Sequence, residues 1–132
     1  MQFVLDCSVA ISWCLVDENN DYANAILAIM PDAKAFVPGI WSLEIANVLL
    51  VAERRNRMTQ EQCEEAITLL QSLLIQIDPV TDANVFSAIL ELGRQEGLAA
   101  YDAAYLELSL RLGKAATRCG VELVVVDEDQ QP

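Results

Sequence analysis

Short apolar runs recur along the chain, each closed by an acid or a Pro/Gly turn. Gln2–Leu5 ends at Asp6, Ala35–Val37 at Pro38-Gly39, Ile75–Ile77 at Asp78-Pro79, and the β-branched run Val121–Val126 at Asp127. Strands covered on both faces read as continuous apolar segments rather than alternating ones. The stretches between these runs carry apolar residues at helical spacing. Strands that alternate with helices in this way predict an α/β fold with a parallel sheet. With 132 residues and a 54% hydrophobic fraction, the sequence predicts a single domain over 1–132 that fills its own core without disulfide staples.

The helices are bounded by specific signals. Ser8 is placed to cap a short helix through Leu15, and Asp21–Met30 forms a second helix stopped by Pro31. Trp41–Asn56 is a long helix, with Leu43, Ala46, Leu50 and adjoining apolar positions expected to face the core. Thr59 and Gln62 form a capping box that opens a helix with Ala66, Ile67, Leu69, Leu70, Leu73 and Leu74 on its apolar face. These two helices are expected to make a hairpin across a short turn. Thr81 or Asp82 caps the next helix, which runs to about Gln95 and ends at Gly97. The last helix is expected to start at Asp102 and to run through Leu112.

Charge and composition exclude several classes of function. Twenty acids against eight bases give a net charge of −12, which argues against sequence-independent wrapping of duplex DNA. It suits a basic partner, and it allows a nucleic-acid enzyme in which divalent cations neutralise acids and phosphates together. The chain has no His, so catalytic systems with a His base are excluded. The cysteines Cys7, Cys14, Cys63 and Cys119 lack C-x-x-C spacing. They read as small, buried apolar residues rather than zinc ligands. No apolar run approaches the ~20 residues needed to cross a bilayer, and no basic segment precedes the first apolar run. A soluble cytoplasmic protein is the expectation. Arg54, Arg55 and Arg57 read either as charges complementing a helix C-terminus or as contacts to RNA phosphates.

Three acids stand where an α/β fold places ligand sites, outside the carboxyl ends of the strands. Asp6 follows the first strand, and Glu44 and Asp102 lie at helix starts. Taken singly, each has a structural explanation as a cap or a dipole partner. Ser8 is either an N-cap or a group that orients Asp6. Asn47, one turn after Glu44, puts a second polar group on the same helix face, and Tyr105 follows Asp102 by three residues. Carboxylates crowded into one crevice repel and call for a cation. Oxygen donors without His or thiolate select Mg²⁺ or Mn²⁺, a combination suited to metal-assisted phosphodiester hydrolysis.

The segments FVLDCSVAISWCL at 3–15, PGIWSLEIANVLLVAERRNRMT at 38–59 and GLAAYDAAYLELSLRLG at 97–113 resemble the PIN-domain family, in particular the VapC-type ribonuclease toxins of toxin–antitoxin pairs. The resemblance implies a three-layer α/β/α sandwich and Mg²⁺- or Mn²⁺-dependent cleavage of RNA. It implies Asp6, Glu44 and Asp102 as catalytic, metal-site acids, supported by Ser8, Asn47 and Tyr105. It also implies an antitoxin partner whose arm blocks the acidic crevice, and a homodimer, for which the helical hairpin at 41–74 is the candidate surface. One departure stands out. Family members usually carry a short strand ending in a fourth Asp after the third acid's helix. Here Leu112-Gly113 runs into Lys114–Val121, which reads as a later small helix joined on directly. The sheet is then one strand short, unless Val121–Val126 moves into the vacated slot and Asp127 replaces the missing metal ligand.

Two other functions compete with the ribonuclease toxin. One is a catalytically impaired PIN-like binding or regulatory module, favoured by the missing acid. The other is an aspartyl-phosphate enzyme using Asp6. The second is disfavoured because the only lysines, Lys34 and Lys114, do not follow convincing strands.

Overall fold

The computed structural model describes residues 1–117. Four parallel strands form one sheet among these residues: β1 (Gln2–Leu5), β2 (Lys34–Val37), β3 (Ile75–Ile77) and β4 (Ala115–Thr117), in the order β3-β2-β1-β4. The helices are α1 (Cys7–Cys14), α2 (Asp21–Ile29), α3 (Trp41–Arg54), α4 (Gln60–Ser72), α5 (Thr81–Asn84), α6 (Leu90–Glu96) and α7 (Ala100–Leu112). Short 3₁₀ turns follow α1 and α2, and a π-helical segment, Val85–Ile89, joins α5 to α6.

The chain steps from β1 to β2 to β3 in one direction and then crosses back to β4. Right-handed crossovers therefore put α1–α4 on one face of the sheet and α5–α7 on the other. The result is a three-layer α/β/α sandwich. Helix α1 packs on α2, α3 and α4, whereas α7 packs on β1, β4 and α6. Strand β1 is central, and its Phe3, Val4 and Leu5 are all buried. No helix among the described residues is long and apolar enough to cross a membrane.

Several local expectations change. The cap of α1 is Asp6, not Ser8, and its carboxylate accepts the Ser8 backbone N–H. Helix α7 begins at Ala100 with Ala99 as its cap residue, so Asp102 lies inside the first turn and does not open the helix. Neither Thr81 nor Asp82 caps α5; the cap residue is Val80, and the Thr81 hydroxyl bonds to Asp78 instead. The capping box at Thr59 and Gln62 is present with both of its hydrogen bonds. Residues 55–59 join α3 to α4.

In α3 the buried stripe is Trp41, Ile45, Leu49 and Ala52. Leu43 and Leu50, expected in the core, are 75% and 48% exposed, and Ala46 is exposed as well. Leu43 is two residues past Trp41, about 200° round the helix at 3.6 residues per turn, so both cannot face the sheet. Trp41, the larger, takes the core. On α4, Ala66 and Leu70 are buried, while Ile67 is left exposed.

The largest change is at the end of α7. Gly113, in the left-handed region at φ 65°, ends the helix at little steric cost. Ala115–Thr117 then forms β4, not a helix. Phe3, Val4 and Leu5 pair with Ala115, Ala116 and Thr117, and the Thr117 hydroxyl donates to the Val4 carbonyl at 3.2 Å. The open edge of β1 overrides the helical preference of the two alanines. Both edges of β1 are thus paired, with β2 and with β4. Val121–Val126 and Asp127 lie outside the described residues.

One ion cluster fixes α7 to the sheet end. The Arg111 guanidinium donates to Asp78 at 2.6 and 3.2 Å, and to Glu107 at 2.7 and 3.2 Å. Thr81 donates to Asp78 at 2.6 Å and Asn84 to Glu107 at 3.1 Å. Asp78 and Glu107 are only 8% and 6% exposed. Burial pushes the Asp78 carboxyl up, but the bonds from Arg111 and Thr81 outweigh it and hold it below the usual range. Arg111→Met would leave two buried carboxylates uncompensated, and urea unfolding at neutral pH is expected to register a loss of about 3–5 kcal/mol. The Asp78 contribution stands in full above the unfolded value near ~3.9. It is lost as pH falls through the lower folded value, so the gap between wild type and Arg111→Met is expected to narrow in unfolding titrations run at pH values down that window.

Candidate functional site

Strand order reverses between β1 and β4, and in open parallel sheets the crevice for ligands lies at such a point, beyond the carboxyl ends of the strands. Asp6 occupies this position. Its backbone N–H donates to the Thr117 carbonyl at 3.2 Å, continuing the β1–β4 pairing by one residue. Its Oδ2 accepts the Ser8 N–H at 2.9 Å. The expected orienting role of Ser8 is thus carried by its main chain.

Glu44 enters from the first turn of α3 and Tyr105 from α7, and the two meet. The Tyr105 hydroxyl donates to Glu44 Oε1 at 2.6 Å, the length of a strong bond to a charged acceptor. Burial raises the Glu44 carboxyl above its ordinary range, the Tyr105 bond opposes this, and the charges of Asp6 and Asp102 raise it further. Tyr105 is pushed up by burial, then by its bond to Glu44 and by the charges of Glu44 and Asp6. Burial, then Glu44 and Asp6, push the Cys7 thiol up to about 12. Asp6, Glu44 and Asp102 come from three separate elements and share one electrostatic field. No three of the His, Cys, Asp and Glu side chains stand at metal-ligating geometry among the described residues. The donors that face one another are oxygens, the type that suits a hard divalent cation.

Asn47 does share a face with Glu44. Together with Ile40, Leu43 and Tyr101 the two line an open cavity of about 460 Å³ beside the acids. The arginines lie elsewhere. Arg57 pairs with Asp17 at 2.9 Å and Glu18 at 3.4 Å, and Arg54 closes the last turn of α3. Arg54 is ten residues beyond Glu44 on the same helix, roughly 15 Å along its axis at 1.5 Å per residue. Lys34 and Lys114 precede or begin their strands, at the opposite end of the sheet from Asp6. No lysine of the described residues is therefore placed to assist an Asp6 phosphoenzyme. Cys7, Cys14 and Cys63 are free, half-buried thiols. Sequence reasoning gave no role to Tyr101 or Cys7. Both neighbour a site acid in the chain, and that adjacency was the available signal.

No family model matches the chain, and no curated protein matches it. Among solved structures, it is similar to the crystal structure of PAE2754 from Pyrobaculum aerophilum, with a TM-score of 0.61 and 18% identity. The match covers 88% of this chain and 80% of that one. At this identity the likeness is one of fold.

The bond between Tyr105 and Glu44 can be tested directly. Tyr105→Phe removes the donor and leaves a partly buried carboxylate without it. Hydrogen bonds to charged groups contribute about 1.5–3 kcal/mol, and chemical denaturation at neutral pH is expected to show a loss in that range.

Proposed function

We propose that this chain is a PIN-like, VapC-type endoribonuclease that hydrolyses RNA phosphodiester bonds with Mg²⁺ or Mn²⁺. The observation that carries the reading is the placement of Asp6 at the strand-order reversal, with Asp6 and Asp102 both near enough to Glu44 to raise its carboxyl. Three acids in one field repel one another, and a divalent cation is the simplest group to relieve that repulsion. Asp6, Glu44 and Asp102 would hold it, and when bound it would acidify an attacking water and neutralise charge on the phosphodiester. Ser8 fixes the Asp6 carboxylate through its N–H, and Tyr105 fixes Glu44. Asn47 borders the same opening. Arg54 and Arg55 lie about three turns beyond Glu44 along α3, and Arg57 is held by Asp17 and Glu18, so these arginines would meet RNA along α3 and not at Glu44 itself.

The same reading carries its partners. A cytoplasmic antitoxin presenting a basic side chain to the acid cluster would restrain the enzyme, in keeping with the net charge of −12. Leu50 on α3 and Ile67 on α4 are exposed apolar side chains of the hairpin region, and they support the proposal of a homodimer through this surface.

A second reading, the catalytically impaired binding module, is favoured by the lack of a ready metal-ligating group among the described residues. Two measurements separate them. Saturating Mn²⁺, at about 100 times its dissociation constant, is expected to stabilise wild type by about 2.7 kcal/mol, and Asp6→Asn is expected to abolish the shift. Single-stranded RNA should be cleaved in Mn²⁺, with Asp6→Asn, Glu44→Gln and Asp102→Asn each losing at least about 100-fold, in line with removal of a preorganised electrostatic group. Metal stabilisation without cleavage would leave the binding module, and neither would sink the metal-enzyme reading.

A further inference from the structure

Tyr101 is the second residue of α7, immediately before Asp102, and it is 64% exposed. Across from it on α3, Leu43 is 75% exposed. With Ile40, Glu44 and Asn47 they line the opening of about 460 Å³ beside the acid cluster. The walls are thus one aromatic ring, two aliphatic side chains, one carboxamide and one carboxylate, and no Lys or Arg among the described residues lines the opening. A phosphate meets no cationic side chain of the described residues there and would be repelled by Glu44. The lining instead matches a flat, uncharged group with an apolar face and a polar edge. A nucleobase is such a group: it stacks on aromatic rings, and its edge carries the donors and acceptors that an Asn side chain, with an N–H₂ and a C=O, can meet.

We infer that Tyr101, with Leu43 and Asn47, forms a base-binding shelf that holds the unpaired base next to the scissile phosphodiester. The inference rests on the proposed ribonuclease function. Glu44 belongs to both places: it lines the opening and it lies in the field of Asp6 and Asp102. A nucleotide with its phosphate at the acids therefore has its base within reach of Tyr101. The shelf also answers a difficulty set by composition. A chain of net charge −12 gains little from the phosphate contacts that dominate most nucleic-acid binding. Stacking is indifferent to charge, and it favours single strands, whose bases are free to splay out.

The test is steady-state cleavage of a short single-stranded oligoribonucleotide in Mn²⁺ by the full chain. Tyr101→Ala is expected to raise KM roughly 5- to 100-fold, the range for losing one base–aromatic stack, with kcat little changed. Tyr101→Phe keeps the ring and is expected to stay close to wild type. A substrate abasic beside the cleaved bond should raise KM for wild type by a similar factor and should add no further penalty in Tyr101→Ala, because both remove one interaction. Tyr101 is exposed, so the variant is expected to melt with wild type. Unchanged KM in Tyr101→Ala, or penalties that simply add with the abasic substrate, would overturn the shelf while leaving the ribonuclease intact. A Tyr101→Ala variant that changes only its sedimentation mass would also overturn it, since a second copy of the chain would then be the occupant. If wild type fails to cleave any RNA, the ribonuclease reading falls and the shelf falls with it.

Discussion

One cation, held by two buried carboxylates, sets the position of most of what matters here. Arg111 lies between Asp78, at the end of β3, and Glu107, one turn earlier on its own helix. The bond to Asp78 fixes α7 against the sheet end, and α7 carries both Asp102 and Tyr105. A helix held only by apolar contacts could shift or rotate by a fraction of a turn with modest loss. An ion cluster cannot, because breaking it strands charge in a medium that solvates it poorly. Asn84 and Thr81 satisfy the remaining acceptors of the two carboxylates. The cluster therefore supplies register more than net stability. The register it supplies is the one that brings Tyr105 to Glu44.

The site runs the opposite way. Around Arg111, opposite charges are matched; around Glu44, like charges are gathered. The fold offsets part of the repulsion with directed donors, the Ser8 N–H on Asp6 and the Tyr105 hydroxyl on Glu44. Neither donor carries a full positive charge, so among the described residues Asp6 and Glu44 keep their negative charge uncancelled. A cluster built purely for stability would place an Arg there, as the Asp78 region does. Matching Asp6 and Glu44 with neutral donors keeps the crevice attractive to a cation or to a basic side chain, which is the property the proposed function uses.

The sequence was most legible where burial alone decides the outcome. The apolar runs of β1, β2 and β3 have no good alternative to a covered sheet, and the Thr59–Gln62 box states its helix start in the residues themselves. The acids Asp6 and Glu44 were legible because an acid that closes a buried strand, or interrupts an apolar helix, needs a reason. Legibility failed where two local choices have similar energies. Trp41 and Leu43 compete for one side of α3, and only the shape of the core decides between them. Asp6 and Ser8 are both good caps two residues apart. Ala115–Thr117 carries a helical preference that yields to a free edge on β1, and no local pattern reports that edge. Arg111 gave no signal either, since its partners are far away in the chain or buried by tertiary packing.

The β4 result changes the meaning of the missing acid. The resemblance to PIN domains pairs loss of a fourth carboxylate with loss of the strand that carries it. The strand is present beside β1, and the sequence after Thr117 reads Arg118-Cys119-Gly120 with no acid before Glu122. Under the proposed PIN-like reading, the departure within the described residues is then one of charge rather than of architecture. A site with three acids binds a cation less tightly than one with four, because fewer negative charges attract it. It also has less repulsion to contain while no cation is bound. Crowded carboxylates are a cost to folding, so removing one favours the metal-free chain at the expense of metal affinity. For the proposed enzyme this trade points to a weaker metal requirement on the fold and a stronger dependence of activity on divalent cation concentration.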